Sequence, residues 1–371
     1  MNNKRVVVAM SGGVDSSVTA ALLKEAGDEV IGVTMRLWSE ERPDLPTHYR
    51  HCCSVEAIDD ARRVCQILGI SFYVMNFERQ FQSEVVDYFC REYRQGRTPN
   101  PCLACNQRIK FHLLLQKALA LGADYLATGH YAGIDQVDGK YRLLKARDTA
   151  KDQSYALYTL GQDELKHLLF PLGNYRKDDV RSLAAKWGLP VADKAESQEI
   201  CFIPDNDYHR FLSERLLPEP GGIFDTQGRR LGRHQGIAFY TVGQRHGLGL
   251  ARGQRLYVTS IDAARNALVV GPEDELLGSS LHATAINYVS GQVPNGPTSI
   301  SAKIRYRSPE APATLLPQGR GALVRFDQPQ RAITPGQAVV FYQGEAVLGG
   351  GIIQDEAVEP RHQSPANSEV V

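Results

Sequence analysis

The chain has 371 residues, 43% hydrophobic and 23% charged, with 42 basic side chains balanced by 42 acidic ones. That length allows two or three domains of ordinary globular character, and a net charge of zero excludes a protein whose total charge alone announces a nucleic-acid partner. No apolar run approaches the membrane-spanning length and the first strand begins close behind Met1, so no membrane partner and a cytoplasmic location are expected.

Val6 to Met10 is a short run rich in β-branched residues, which suits a buried central strand. Ser11-Gly12-Gly13-Val14-Asp15-Ser16-Ser17 then turns into a helix whose apolar face begins at Val18, Ala21 and Leu22. The glycines allow backbone angles and close approaches that a side chain would block, and Asp15 to Ser17 fall where a helix would be capped. Backbone N–H groups at such a turn favour an anion, so a phosphate site is expected here. The GxxxxGK[ST] lysine of an ordinary P-loop is absent.

Val30 to Met35 reads as a second strand, and Glu40 to His51 as a Pro-broken loop. Ser54 can cap a helix with Val55, Ile58, Ala61, Val64, Cys65 and Leu68 on one face, ended by Gly69. A third strand spans Ser71 to Phe77, a long helical pattern runs to Tyr93, another helix covers Asn106 to Leu121, and a fourth strand covers Asp124 to Gly129. Strands alternating with helices predict an α/β fold with a parallel sheet, helices on both faces and a ligand at the carboxyl ends of the strands. The segments to search are therefore Ser11 to Ser17, Met35 to Trp38, and Gly129-His130-Tyr131.

Beyond His130 the pattern changes. Ala132 to Lys145 alternates around Asp138-Gly139, a hairpin signal. A polar segment from Asp148 to Tyr155 precedes a helix, Arg176 to Trp187 is amphipathic, Val191 to Pro204 is irregular, and Asp207 to Leu217 looks helical before a Pro/Gly boundary at Pro218 to Gly222. Between Phe224 and Asn266 stand seven arginines (229, 230, 233, 245, 252, 255 and 265) against Asp225 and Asp262, a segregation that suits phosphate backbones or a solvated face. Short β runs follow, including Ser301 to Arg307, Gly321 to Phe326 and Ala338 to Tyr342, with a turn at Pro335-Gly336-Gln337; they predict a small antiparallel barrel. Polar residues after Glu359 predict a disordered tail.

Seven cysteines (52, 53, 65, 90, 102, 105 and 201) are too few and too irregular for a secreted disulfide scaffold. In Thr98-Pro99-Asn100-Pro101-Cys102-Leu103-Ala104-Cys105-Asn106, two prolines fix the approach and Asn106 opens the next helix, which places Cys105 at a helix N-terminus that favours thiolate. Cys102 and Cys105 are spaced for a redox pair or for two ligands of one metal. Cys201 lies in a loop, where reactive cysteines occur, whereas Cys65 and Cys90 fit inert positions on helices. His51-Cys52-Cys53 is open between loop packing and a metal site.

Taken in order, the Ser-Gly-Gly-Val-Asp-Ser-Ser turn, Thr98 to Asn106, Thr128-Gly129-His130-Tyr131-Ala132, Lys151-Asp152-Gln153-Ser154-Tyr155 and Ile200-Cys201-Phe202-Ile203 resemble the tRNA-specific 2-thiouridylase family, within the N-type ATP pyrophosphatase superfamily. The resemblance covers nearly the whole chain, to about residue 355. It implies an α/β, Rossmann-like adenine nucleotide hydrolase domain with a parallel sheet at 1–206, a small central tRNA-binding domain at 207–278, a C-terminal antiparallel β-barrel that also binds tRNA at 279–357, and a disordered tail at 358–371. ATP, expected with a magnesium ion, would bind at Ala9, Met10, Ser11, Gly12, Gly13, Val14, Asp15 and Ser16, with Met35 and Gly129 on the adenosine side. Oxygen 2 of the wobble uridine, position 34, would be adenylated. Cys201 would carry a persulfide and Cys105 would act as nucleophile, leaving a Cys105–Cys201 disulfide bond. Asn100, Pro101, Cys102, His130, Lys151, Asp152 and Gln153, with Arg305, Tyr306 and Gln337 from the barrel, match contacts to tRNA. Implied partners are tRNAs accepting Lys, Glu and Gln, and a cysteine desulfurase or sulfur-carrier protein.

Some family members carry Asp at the position of Cys102. Without that carboxylate, Cys102, Cys105 and Cys201 could instead hold a four-iron four-sulfur cluster with one open iron. Two other readings compete. A synthetase that activates a carboxylate for ammonia would need an ammonia source, which the sequence does not show. A tRNA-binding protein without catalysis would not need the intact glycine turn and both cysteines.

Overall fold

The computed structural model describes residues 4–38, 55–194, 200–203, 205–250 and 255–355. The expected loop 40–51, the Ser54 cap, Cys52, Cys53, Arg252 and the tail lie outside these residues.

The first sheet is built from β1 (Arg5–Ala9), β2 (Glu29–Arg36), β3 (Ser71–Asn76) and β4 (Tyr125–Ala127). A hairpin of β5 (Gly133–Val137) and β6 (Lys140–Leu144) follows, then the two-residue β7 (Leu168–Leu169). The parallel order is β3-β2-β1-β4-β7, so the chain reverses its direction of addition between β1 and β4. That is where open α/β sheets leave a ligand crevice. β7 carries no sequence signal of its own, being only two residues long.

Successive side chains of a strand point to opposite faces, and here each strand supplies two cores. Val7, Val33 and Leu126 enter one apolar cluster, while Val6, Val8, Val30 and Ala127 enter the other. Helices α1 (Val14–Glu25) and α2 (Val55–Leu68) cover the second cluster, joined by Val180 and Ala184 of the helix Lys177–Lys186. The first cluster is covered by two long helical runs, Glu78 to Arg94 and Pro101 to Ala120. Each contains a stretch of wide, i→i+5 turns, Gln82–Val86 in one and Cys105–Leu114 in the other.

Four expectations shift. Gly13, not Asp15 to Ser17, caps α1, so those three residues form its first turn. The helix that carries Cys105 begins at Pro101, and the Asn100 side chain caps it by accepting from the Cys102 N–H at 3.1 Å. Cys105 therefore sits in the second turn, beyond the reach of the helix-end potential expected to favour a thiolate. Ile304 to Arg307 turns out of the strand, because Arg305 and Ser308 close a tight turn on each other. The helix expected over 207–217 is also shorter, Tyr208–Ser213.

A second sheet joins β8 (Gly221–Asp225), β9 (Arg230–His234), β10 (Tyr257–Asp262) and β11 (Ala267–Gly271) in the order β10-β11-β8-β9. The last six strands are β12 (Leu277–Tyr288), β13 (Thr298–Lys303), β14 (Ala311–Gln318), β15 (Gly321–Arg331), β16 (Ala338–Gln343) and β17 (Ala346–Ile353). β12 pairs with both β15 and β17, which closes these antiparallel strands into the expected barrel. The β5–β6 hairpin adds to the same sheet where Leu144 meets Ala346.

Two segments of the first domain dock on the barrel. The Tyr155 hydroxyl donates to the Ala338 carbonyl at 2.9 Å, and Asn287 donates to the carbonyls of Tyr158 and Leu160 at 2.7 and 3.1 Å. Thr98 N–H donates to Pro335 at 2.9 Å, the Gln337 amide donates to the Thr98 carbonyl at 2.8 Å, and the Thr98 hydroxyl meets that of Thr241 at 3.2 Å. Tyr155→Phe leaves the Ala338 carbonyl unpaired in a buried position, at a cost of about 1–3 kcal/mol, and is expected to lower the urea midpoint while leaving far-ultraviolet circular dichroism unchanged.

Candidate active site

The end of β1 leads through Met10 and Ser11 into a turn held by its own side chains. Ser11 N–H donates to Ser16 Oγ at 3.1 Å, and the Ser16 and Ser17 hydroxyls donate back to the Gly13 carbonyl at 3.2 and 2.8 Å. With these hydroxyls turned inward, the first N–H groups of α1 are left without an acceptor within the helix. Gly12 has φ +69°, and a Cβ there would stand 2.1 Å from the Ala57 carbonyl oxygen. Gly129, just past β4, packs so closely on α1 that a Cβ would lie 2.8 Å from Asp15 C and Ser16 N. Met35 is the last residue but one of β2, where it pairs with Met75 of β3. The structure thus gathers the predicted ATP residues at the carboxyl ends of three adjacent strands.

Two lysines at this cradle escaped the sequence reading, and Tyr131 joins them from a segment that the sequence singled out. The Lys177 ammonium lies 2.8 Å from both carboxylate oxygens of Asp15, and the Tyr131 hydroxyl donates to Asp15 Oδ1 at 2.8 Å. Lys194 donates to the Gly12 carbonyl at 2.8 Å and pairs with Asp60 at 2.7 Å. Two lysines from far along the chain thus stand beside a turn that has no P-loop lysine of its own. Only the amphipathic helix pattern that begins near Lys177 hints at one of them.

Cys105 is buried in the cluster that also receives Ile200 and Cys201 at its margin, whereas Cys102 is exposed. The Cys201 segment is moored by Phe202, whose ring meets Phe81, Phe89 and Phe211 at 5.7, 5.4 and 5.2 Å. Burial pushes the Cys65 thiol up to about 11 and raises that of Cys90 as well, in keeping with inert roles. Among the described residues no group of three His, Cys, Asp or Glu side chains is placed to hold a metal ion, so the iron–sulfur alternative gains no support.

His130 links the two halves. Its ring packs on Phe111 of the cysteine helix at 5.6 Å, and Nδ1 lies 2.7 Å from the Thr128 hydroxyl. Burial, and then the Lys110 ammonium, hold its pKa well below the ordinary value of 6.5, which keeps the imidazole neutral. Several residues expected to meet RNA are engaged by the protein itself. Asp152 accepts from Ala146 N–H and from Ser154, and Gln153 accepts from Tyr131 N–H. Arg305 reaches the Ala332 carbonyl and Thr334, and burial lowers its pKa. Tyr306 is exposed, its ring 6.0 Å from that of Tyr155.

Sequence models of three families match the chain: a tRNA methyl transferase HUP domain at residues 4–205, a tRNA methyl transferase PRC-barrel domain at 209–272, and an aminomethyltransferase beta-barrel domain at 278–353. A protein of Moorella thermoacetica named tRNA-specific 2-thiouridylase MnmA is 56% identical over 357 residues, spanning 95% of this chain and 99% of that protein. One of the same name from Clostridium perfringens is 51% identical over 357 residues, with the same 95% and 99% coverage. A solved 4-thiouridine synthetase–RNA complex with bound ATP aligns at a TM-score of 0.34 and 16% identity over 57% of this chain and 50% of its own, a likeness too distant to carry an argument.

Gly129→Ala forces a methyl group into the backbone of α1 and is expected to weaken ATP binding at least tenfold by calorimetry, with little change in RNA affinity. The pH dependence follows from His130. Its folded pKa is depressed, so the unfolded chain binds more protons below about 6.5 and stability falls as pH is lowered through that value. The thermal midpoint should drop between pH 7 and pH 5 and flatten in His130→Gln; the residual slope would come from His234, also held low by burial.

Proposed function

Because the chain belongs to the tRNA-specific 2-thiouridylase family, we propose how its site makes 2-thiouridine. The protein is a tRNA-modifying sulfurtransferase that uses ATP. The wording of the matching family descriptions speaks of methyl transfer, but the curated relatives at 51–56% identity carry the thiouridylase name. One observation carries the reading of the site: Gly129, His130 and Tyr131 are consecutive, yet they touch the backbone of the phosphate cradle, the helix of Cys105 and the Asp15 carboxylate respectively. Activation and sulfur delivery are thus built around one tripeptide.

Oxygen 2 of the wobble uridine attacks the α-phosphate of ATP, and pyrophosphate departs toward the N–H groups of Ser11 to Ser16 and the lysines beside them. Carbon 2 becomes electrophilic, with AMP as its leaving group. The terminal sulfur of a Cys201 persulfide, loaded by a cysteine desulfurase or a sulfur-carrier protein, adds to carbon 2 and AMP leaves. The Cys105 thiolate then attacks the Cys201 sulfur, which releases 2-thiouridine and forms a Cys105–Cys201 disulfide that an external thiol reduces. In the alternative order, Cys105 attacks first and the released hydrosulfide adds to carbon 2. The wide turns that begin at Cys105 are of the kind found at functional sites.

Asp15 is already engaged by Lys177 and Tyr131 and does not fit a resident metal site. Magnesium belongs here with the phosphates of ATP, keeping most of its waters, and no step is assigned to it. The target base must leave its stack to reach carbon 2 chemistry. We assign residues 1–206 to catalysis and 207–278 and 279–357 to tRNA, with Asn100, Pro101, Cys102, His130 and Lys151 nearest the target. Asp152, Gln153, Arg305 and Gln337 act by shaping that surface, and Tyr306 by direct contact. The acceptors would be the tRNAs for Lys, Glu and Gln, and the setting the cytoplasm; no helix among the described residues is long and apolar enough to cross a membrane.

Mass analysis of wobble uridines after incubation with ATP, tRNA and a sulfur source tests the scheme. Cys201→Ser and Cys105→Ser are each expected to reduce 2-thiouridine to background while tRNA-dependent pyrophosphate release persists. Full activity in Cys201→Ser would overturn its assigned role.

A further inference from the structure

Asp15 places a carboxylate in the first turn of α1, at the mouth of a cradle meant for a polyphosphate. Alone it would oppose the incoming charge; the Lys177 ammonium and the Tyr131 hydroxyl offset it at 2.8 Å each. Lys177 is itself buried, and its Nζ lies 5.7 Å from the centre of the Tyr131 ring, so the three side chains form one unit. Both partners of Asp15 are tied to the same short turn. Lys177 N–H donates to Asp148 Oδ2 at 2.9 Å. Tyr131 N–H donates to Gln153 Oε1 at 2.9 Å, and Gln153 N–H donates to the Tyr131 carbonyl at 2.8 Å. The turn is stiffened from within, since Asp148 accepts from Ala150 N–H and Lys151 N–H, and Asp152 accepts from Ala146 and Ser154 N–H. The turn is thus bonded to both groups that neutralise Asp15.

We propose that the turn Asp148 to Gln153 couples RNA engagement to ATP binding by setting Tyr131 and Lys177 on Asp15. Tyr131 and Asp148 are positioning residues in this device; neither touches RNA or nucleotide. The proposal rests on the reading of Lys151 as an RNA contact on the outer face of that turn. RNA held there fixes the turn, the turn fixes the ammonium and the hydroxyl, and the cradle accepts a polyphosphate more readily. Coupling of this kind is reciprocal: a bound nucleotide must tighten RNA by the same factor.

The test uses the full chain, unmodified tRNA and a non-hydrolysable ATP analogue, with the affinity of each ligand measured in the absence and at saturation of the other. The wild-type protein is expected to show mutual tightening of about fivefold or more, equal in both directions. Tyr131→Phe and Asp148→Asn, which melt at temperatures near the wild type if they fold normally, should each bring that factor close to one. Their effect on either ligand alone should stay within about tenfold, the scale of one hydrogen bond. A wild-type factor of one, or a factor unchanged in both variants, overturns the proposal. Lys151→Ala separates the two levels. If it leaves tRNA affinity intact, the reading of the turn as an RNA face fails and the coupling fails with it. If it weakens tRNA while Tyr131→Phe and Asp148→Asn keep the wild-type factor, only the coupling fails.

Discussion

At the carboxyl ends of the parallel strands backbone meets backbone: Gly129 lies against the first turn of α1 with no space for even a methyl group. β4 must sit directly beside β1 for this to happen, and the parallel pairing of Val6 with Tyr125 through Val8 with Ala127 sets that spacing. Once Gly129 is fixed, the next two residues have little freedom. His130 falls against the helix that carries Cys105, and Tyr131 falls against Asp15. A single steric condition thus sets the spacing between the glycine turn and the helix of Cys105, which pack on opposite faces of the sheet.

Much of this was legible in the residues. The β-branched run before Ser11, the paired glycines and the strand–helix alternation locate the cradle, because a buried parallel strand and a left-handed glycine leave local signatures. The barrel was legible from alternation and turn residues. What escaped was either very short or distant in sequence. A two-residue β7 has no period to detect. Lys177 and Lys194 reach the cradle only through tertiary packing. The start of the cysteine helix was misread, although Asn100-Pro101 carries a cap followed by a proline at the first helical position. Arg305 has the look of an RNA contact in sequence, and folding turns its guanidinium inward to the carbonyl of Ala332.

The approach to Cys102 and Cys105 is held as firmly as the cradle. Arg97 makes a two-pronged ion pair with the buried Glu92 at 2.7 and 2.8 Å. The next residue, Thr98, is bonded to the barrel and to the central domain. Three parts of the protein therefore meet two residues before the Asn100 cap. A rigid frame of this sort preserves the geometry of Cys105, which sits on a locally widened helix.

The hairpin β5–β6 belongs by sequence to the nucleotide domain and by hydrogen bonding to the barrel's sheet. The divisions that sequence draws along the chain are therefore not the lines along which the molecule can be cut. A fragment ending before residue 207 would carry a hairpin robbed of its neighbouring strand. An isolated barrel would expose the flank of β17 that the hairpin covers. Recombining the first 206 residues with a foreign module would have to replace the contact that Ala346 makes with Leu144.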